Sequence, residues 1–134
     1  MTLLVVDASA VVDVLAGAPT ASSIREVLAT VPEVHVPEHF HIEAISALRG
    51  LRIRGDLEPE RAAHALDLLV QLRVVRHPVL SLAYDIWALR DSLSAYDAAY
   101  LALTRQLDAR LLSTDAALVG AASAEGRGIT IGLP

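Results

Sequence analysis

Neither cysteine nor lysine occurs in this 134-residue chain, and aromatic residues make up only 4% of it. Without cysteine, disulfides and thiolate metal sites are excluded, and an intracellular setting fits. With so few aromatics the core must be aliphatic, and an apolar fraction of 54% is ample for one domain spanning 1–134. No apolar run is long enough to span a bilayer, and no basic start leads into an apolar segment with a cleavage site. No membrane association and a cytoplasmic location are therefore expected. All eleven basic side chains are arginine, against sixteen acids, for a net charge of −5. An acidic chain can hold nucleic acid only through a local arginine cluster or bound cations, because phosphate contacts need positive charge.

What is present is an alternation of short β-branched runs and helical spacings. Leu3 to Val6 is an unbroken apolar run with β-branched Val5 and Val6, the pattern of a strand buried on both faces of a parallel sheet. It stops at Asp7, and a helix pattern begins at Ser9. Further strands are predicted at 33–37, 73–77, 109–113 and 129–131. Helices are predicted at 9–15, from Thr20 or Ser22 to Val31, at 38–54 and from 58 to about 72. Two more follow from Ser81 and from Ser94, and a last, alanine-rich one runs from Asp115 to about 122. The helix at 38–54 is expected to bury Ile42, Ile45, Leu48 and Leu51 or Arg52. The next is expected to bury Ala62, Ala65, Leu66, Leu69 and Leu72. Strands alternating with helices indicate an α/β fold, a three-layer α/β/α sandwich around a mostly parallel five-stranded central sheet.

Four carboxylates stand out. Asp7 ends the first strand, where open parallel sheets bind ligands, although a lone strand-end Asp can equally be a cap. Asp115 repeats that situation after the strand Arg110-Leu-Leu-Ser. Asp97 follows Ser94 at capping-box spacing and also suits the positive end of a helix. Glu43 flanks the apolar side of its helix, where it serves either a site or an ion pair with Arg49 or His39. If these acids converge they repel one another and favour protonation. A hard divalent cation, Mg²⁺ or Mn²⁺, resolves the repulsion, prefers oxygen ligands, and suits phosphodiester cleavage. Ser9 and Thr114 are supporting candidates: either could position water, and capping is the simpler role for Ser9. The five histidines show no zinc spacing. Arg49, Arg52 and Arg54 cluster at a helix end. They favour the helix dipole there, or form a surface for RNA phosphate or a protein partner.

These residues fall into an ordered set: Val5-Val-Asp7-Ala-Ser9-Ala, Glu43-Ala-Ile-Ser-Ala-Leu-Arg49, Ser94-Ala-Tyr-Asp97-Ala-Ala-Tyr-Leu-Ala-Leu103 and Leu111-Leu-Ser-Thr-Asp115. In order and spacing the set resembles the PIN-domain ribonucleases, and among them the VapC-type toxins of type II toxin–antitoxin pairs. The resemblance covers nearly the whole chain. It implies a Mg²⁺- or Mn²⁺-dependent endoribonuclease in which Asp7, Glu43, Asp97 and Asp115 hold metal and prepare the attacking water. Ser9 and Thr114 match supporting positions. It also implies a VapB-like antitoxin as partner, an RNA substrate such as transfer or ribosomal RNA, and a homodimer. The shortage of positive charge departs from what RNA binding asks. A phosphoryl-accepting receiver domain would need a lysine, and a haloacid-dehalogenase-like phosphatase would need Asp in place of Ser9. A PIN-like binding module without activity is the other alternative.

Overall fold

The computed structural model describes residues 2–131. Strand β1 is Leu4–Val6, every residue of it buried. It leads into helices α1, Ala8–Ala16, and α2, Ala21–Leu28, then strand β2, Val34–Pro37. Helices α3, Phe40–Ile53, and α4, Pro59–Gln71, carry the chain to β3, Val74–His77. A short 3-10 turn at Leu80–Leu82 and helices α5, Ala83–Ala88, and α6, Ala95–Gln106, lead to β4, Arg110–Leu112. Helix α7, Ala116–Ala124, follows.

The strands pair in parallel in the order β3-β2-β1-β4. The chain thus builds outward from β1 through β2 to β3, then returns past both to place β4 on the other side of β1. Right-handed crossovers put the helices of the outward and return paths on opposite faces. In agreement, α1 packs on α2, α3 and α4, whereas α6 lies across β1, β2 and β4 with α5 and α7 beside it. Between β1 and β4 the winding direction reverses. Such a switch point opens a crevice at the carboxyl ends of the strands.

Two expectations are corrected. Among the described residues the sheet has four strands rather than five. The segment expected at 129–131 makes only a single parallel bridge, Leu111 to Gly128, with hydrogen bonds from Leu111 N–H to Arg127 O and from Ile129 N–H to Leu111 O. The second correction concerns α3, whose buried side carries Phe40, Ala44 and Leu48. Ile42 and Ile45 are 66% and 41% exposed. Apolar residues form two stripes on this helix. Contact with α1 and α4 selects the one where Ala44 lets the backbones approach, which periodicity alone cannot do. On α4, Ala65 and Leu69 are buried, while Leu66 and Leu72 are exposed.

Local signals set the element ends. Gly17 closes α1 in the left-handed conformation at φ 72°, which glycine adopts without a Cβ clash. Pro59 opens α4. The core is aliphatic as composition requires, with Phe40 and Tyr100 the largest side chains fully buried in it. The corrected face of α3 is directly testable by urea denaturation. Leu48→Ala is expected to lose about 2–5 kcal/mol, and Ile42→Ala no more than about 0.5 kcal/mol.

Candidate active site

All four sequence-predicted acids sit at element ends or in a first turn on the crevice side. Asp7 caps α1 in position but not in bonding, since its carboxylate makes no cap hydrogen bond. Its backbone N–H donates to Leu112 O of β4 at 2.9 Å. Its Oδ2 accepts two hydroxyls, Ser9 Oγ at 2.6 Å and Ser113 Oγ at 2.7 Å. Ser9 is therefore not the capping residue expected. Its Oγ also accepts the Thr114 N–H at 3.1 Å, so it stitches the β1 end to the β4 end. Thr114 joins the site through that backbone N–H. Ser113 in turn accepts the Asp115 N–H at 3.0 Å.

Asp115 does serve as a cap: its Oδ1 accepts the Leu118 N–H at 3.0 Å. Asp97 sits in the first turn of α6, where Ser94 Oγ accepts its N–H at 3.2 Å. Its own carboxylate makes no reciprocal bond among the described residues, so only half of a capping box forms. Glu43, in the first turn of α3, is held from two sides. Tyr100 donates its phenol to Glu43 Oε1 at 2.8 Å, and His39 Nε2 lies 3.0 Å from the same oxygen. His39 Nε2 also lies 3.2 Å from Tyr96 O. Both neighbours accept, so that nitrogen carries the proton. Arg49, the other partner considered for Glu43, faces elsewhere on the helix.

The electrostatics show one cluster. Burial pushes the Asp7 carboxyl above its ordinary value, the Ser9 and Ser113 hydroxyls oppose the rise, and the charges of Glu43 and Asp115 add to it. Asp97 is pushed up to about 6, first by burial and then by Asp115, Asp7 and Glu43. Burial alone would lower His39, but the Glu43 hydrogen bond and charge outweigh it and raise the imidazole above its usual range. Burial and the Glu43 and Asp7 charges push the Tyr100 phenol far up, so it remains a donor. Acids from four separate segments thus act on one another, and the His39 imidazole beside them gains proton affinity.

The donor set is made of carboxylate oxygens, which suits a hard dication. As placed, no three acid or histidine groups among the described residues close on a single point. Mutual repulsion of the like charges opposes such closure.

Sequence reasoning missed two members of this site, Ser113 and Tyr100, and named a third, His39, only as an ion-pair partner of Glu43. Ser113 lies inside the quoted strand-end motif, next to the acid that drew notice. Tyr100 falls three positions after Asp97, and His39 four before Glu43, each one helical turn from a candidate acid. A groove of about 460 Å³ leads away from the cluster between α1 and α3, lined among others by Ser9, Asp13, Glu43, Gly50 and Arg54.

The PIN domain family profile matches residues 4–123. Ribonuclease VapC3 of Mycobacterium tuberculosis is 40% identical over 119 residues, covering 88% of this chain and 86% of its own. Among solved structures, VapC20 of the same organism, described as a toxin that cleaves the sarcin–ricin loop, superposes with a TM-score of 0.69 at 20% identity. It covers 96% of this chain and 99% of its own. A toxin–antitoxin complex from Klebsiella pneumoniae gives 0.56 at 17% identity, over 84% of this chain and 86% of its own. The carboxylate crevice, the parallel sheet and these relatives agree: this chain belongs to the PIN-domain family, in the branch of the VapC ribonucleases.

Proposed function

We propose that the chain is a metal-dependent endoribonuclease toxin that hydrolyses RNA phosphodiester bonds at the crevice formed by Asp7, Glu43, Asp97 and Asp115. The observation that carries this reading is that acids from four separate segments act on one site, their charges adding to the burial that pushes Asp97 up to about 6. Asp7, Asp97, Asp115 and Glu43 would hold Mg²⁺ or Mn²⁺. When bound, the ion offsets their charge, lowers the pKa of nearby water and stabilises negative charge developing on the phosphate.

The remaining work falls to the chain itself. Ser9 and Ser113 fix Asp7 through one oxygen. Tyr100 and His39 fix Glu43 through Oε1, leaving Oε2 to take the proton of the attacking water. Water oxygen bonds to phosphorus as the bond to the leaving ribose oxygen breaks, and that oxygen takes up a proton from solvent. A VapB-like antitoxin is the proposed partner, supported by the VapC relatives and by the Klebsiella pneumoniae toxin–antitoxin complex with a similar fold. A homodimer is also proposed. Leu80, Tyr84 and Trp87 are strongly exposed at one-turn spacing, a grouping of apolar side chains suited to contact with a second copy. Among the described residues no helix is long and apolar enough to cross a membrane, and an RNA substrate suits a cytoplasmic location.

Antitoxin-free protein is expected to degrade total RNA with Mg²⁺ or Mn²⁺. EDTA and Asp7→Asn should each stop it, and intact RNA from folded protein would favour the inactive binding module instead. Asp97→Asn should lower the cleavage rate more than about 100-fold and leave the circular dichroism spectrum unchanged, because Ser94, not Asp97, supplies the cap oxygen. Tyr100→Phe should slow cleavage about 10–100-fold, the range for losing a group that orients a ligand.

Stability should depend on pH in a specific direction. A carboxyl whose pKa is raised on folding binds more protons folded than unfolded, so stability falls as pH rises. For Asp97 the window runs from the ordinary 3.8 up to about 6. In EDTA, Tm is expected to fall as pH rises across that window, and Asp97→Asn should flatten the fall. Added Mg²⁺ should restore Tm at neutral pH.

A further inference from the structure

Helical phase divides the arginines at the end of α3. Arg54 lies eleven positions after Glu43, close to three full turns at 3.6 residues per turn. Ala47 and Gly50 fall on the same line, and all four residues line the groove that leaves the carboxylate cluster. Arg49 and Arg52 are turned well away from that line. They border a separate apolar groove of about 260 Å³ between α3 and α4, with Ile45, Leu48, Ala62, Ala63 and Leu66. What reads in sequence as one basic cluster is two surfaces.

The Arg54 guanidinium folds back along the helix over Gly50, where an added Cβ would stand 3.1 Å from its Nη1. Glycine inside a helix costs about 1 kcal/mol relative to alanine, and here its bare backbone leaves room for the guanidinium. The partner of Arg54 is Asp56, at 3.3 Å, with both side chains more than half exposed. A pair so exposed contributes little and exchanges readily. The groove therefore has carboxylates at one end and, with the Arg54 side chain folded back to Gly50, a guanidinium about 10 Å along the helix axis at the other. A guanidinium presents a fork of donors matched to phosphate oxygens. In a chain of net charge −5, that placement provides local positive charge in line with the reacting crevice.

We propose that Arg54 is a positioning residue that grips an RNA phosphate a few nucleotides from the scissile bond, laying the strand along the α1–α3 groove, while Arg49 and Arg52 take no part in holding RNA. The proposal rests on the ribonuclease reading. It is tested in full-length, antitoxin-free protein carrying Asp97→Asn, so that RNA is bound but not cut. The probe is a short random-sequence single-stranded RNA pool, with Mg²⁺ present and affinity measured over a range of salt concentrations. Adding Arg54→Gln should weaken binding several-fold at low salt. It should also reduce the slope of log affinity against log salt by about 0.7, the value for one phosphate contact on a single strand. Arg54→Lys should keep most of the slope, and Arg49→Gln and Arg52→Gln should leave it unchanged. An unaltered slope in Arg54→Gln, or an equal fall in all three glutamine variants, overturns the assignment while the ribonuclease reading stands on its own cleavage assay. Absence of RNA binding before any arginine is changed, together with no cleavage by the unmutated protein, overturns both.

Discussion

A buried carboxylate must find donors or give up its charge, and the way Asp7 meets that constraint organises the crevice. One oxygen takes hydroxyls from Ser9, two residues on, and from Ser113, at the far end of the chain. The same two serines accept the Thr114 and Asp115 N–H groups. Backbone pairing of β1 with β4 and the satisfaction of Asp7 are thus one interlocked set of hydrogen bonds. It fixes where Asp115 emerges relative to Asp7. The topological switch between these two strands supplies the space, and the serines supply the geometry.

Around that anchor the protein carries a charge arrangement that works against its own stability. Charges of the neighbouring acids add to burial in raising the proton affinity of Asp7 and Asp97, and the His39 imidazole beside Glu43 is raised in turn. Three of the acids are nonetheless restrained by a neighbour that leaves part of the carboxylate uncommitted. Asp115 spends Oδ1 on Leu118, Glu43 spends Oε1 on Tyr100 and His39, and Asp7 spends Oδ2 on the serines. Orientation is fixed while acceptor capacity remains, which is what a ligand set for a hard cation requires.

Much of this arrangement was legible in the linear chain. The acids end apolar runs or open helices, and those positions were readable because strand ends and first turns carry characteristic residues. The helix at α6 began at Ser94 as its cap residue indicates. Other features were not legible. Ser9 reads as a cap because capping is the common role of a serine at a helix start, yet its hydroxyl turns to a strand more than a hundred residues away. The buried side of α3 could not be chosen, because Ile42 and Ile45 satisfy helical periodicity as well as Phe40, Ala44 and Leu48 do. Nor could Arg49, Arg52 and Arg54 be separated. The groove each one borders depends on which neighbouring helix fills each side of α3.

Composition and local pattern alone determined an aliphatic α/β domain, the succession of its elements and the identity of its exceptional acids. These follow from short-range physics: β-branching, helical period, caps and the cost of a charge at the end of an apolar run. Only the tertiary structure decided that β4 returns to the side of β1, that Ser113 and Tyr100 hold Asp7 and Glu43 in place, and that α1 closes the groove shared by Glu43 and Arg54. Those are contacts between residues distant in sequence. No local pattern encodes them, because they arise when sheet pairing and helix packing bring separate surfaces together.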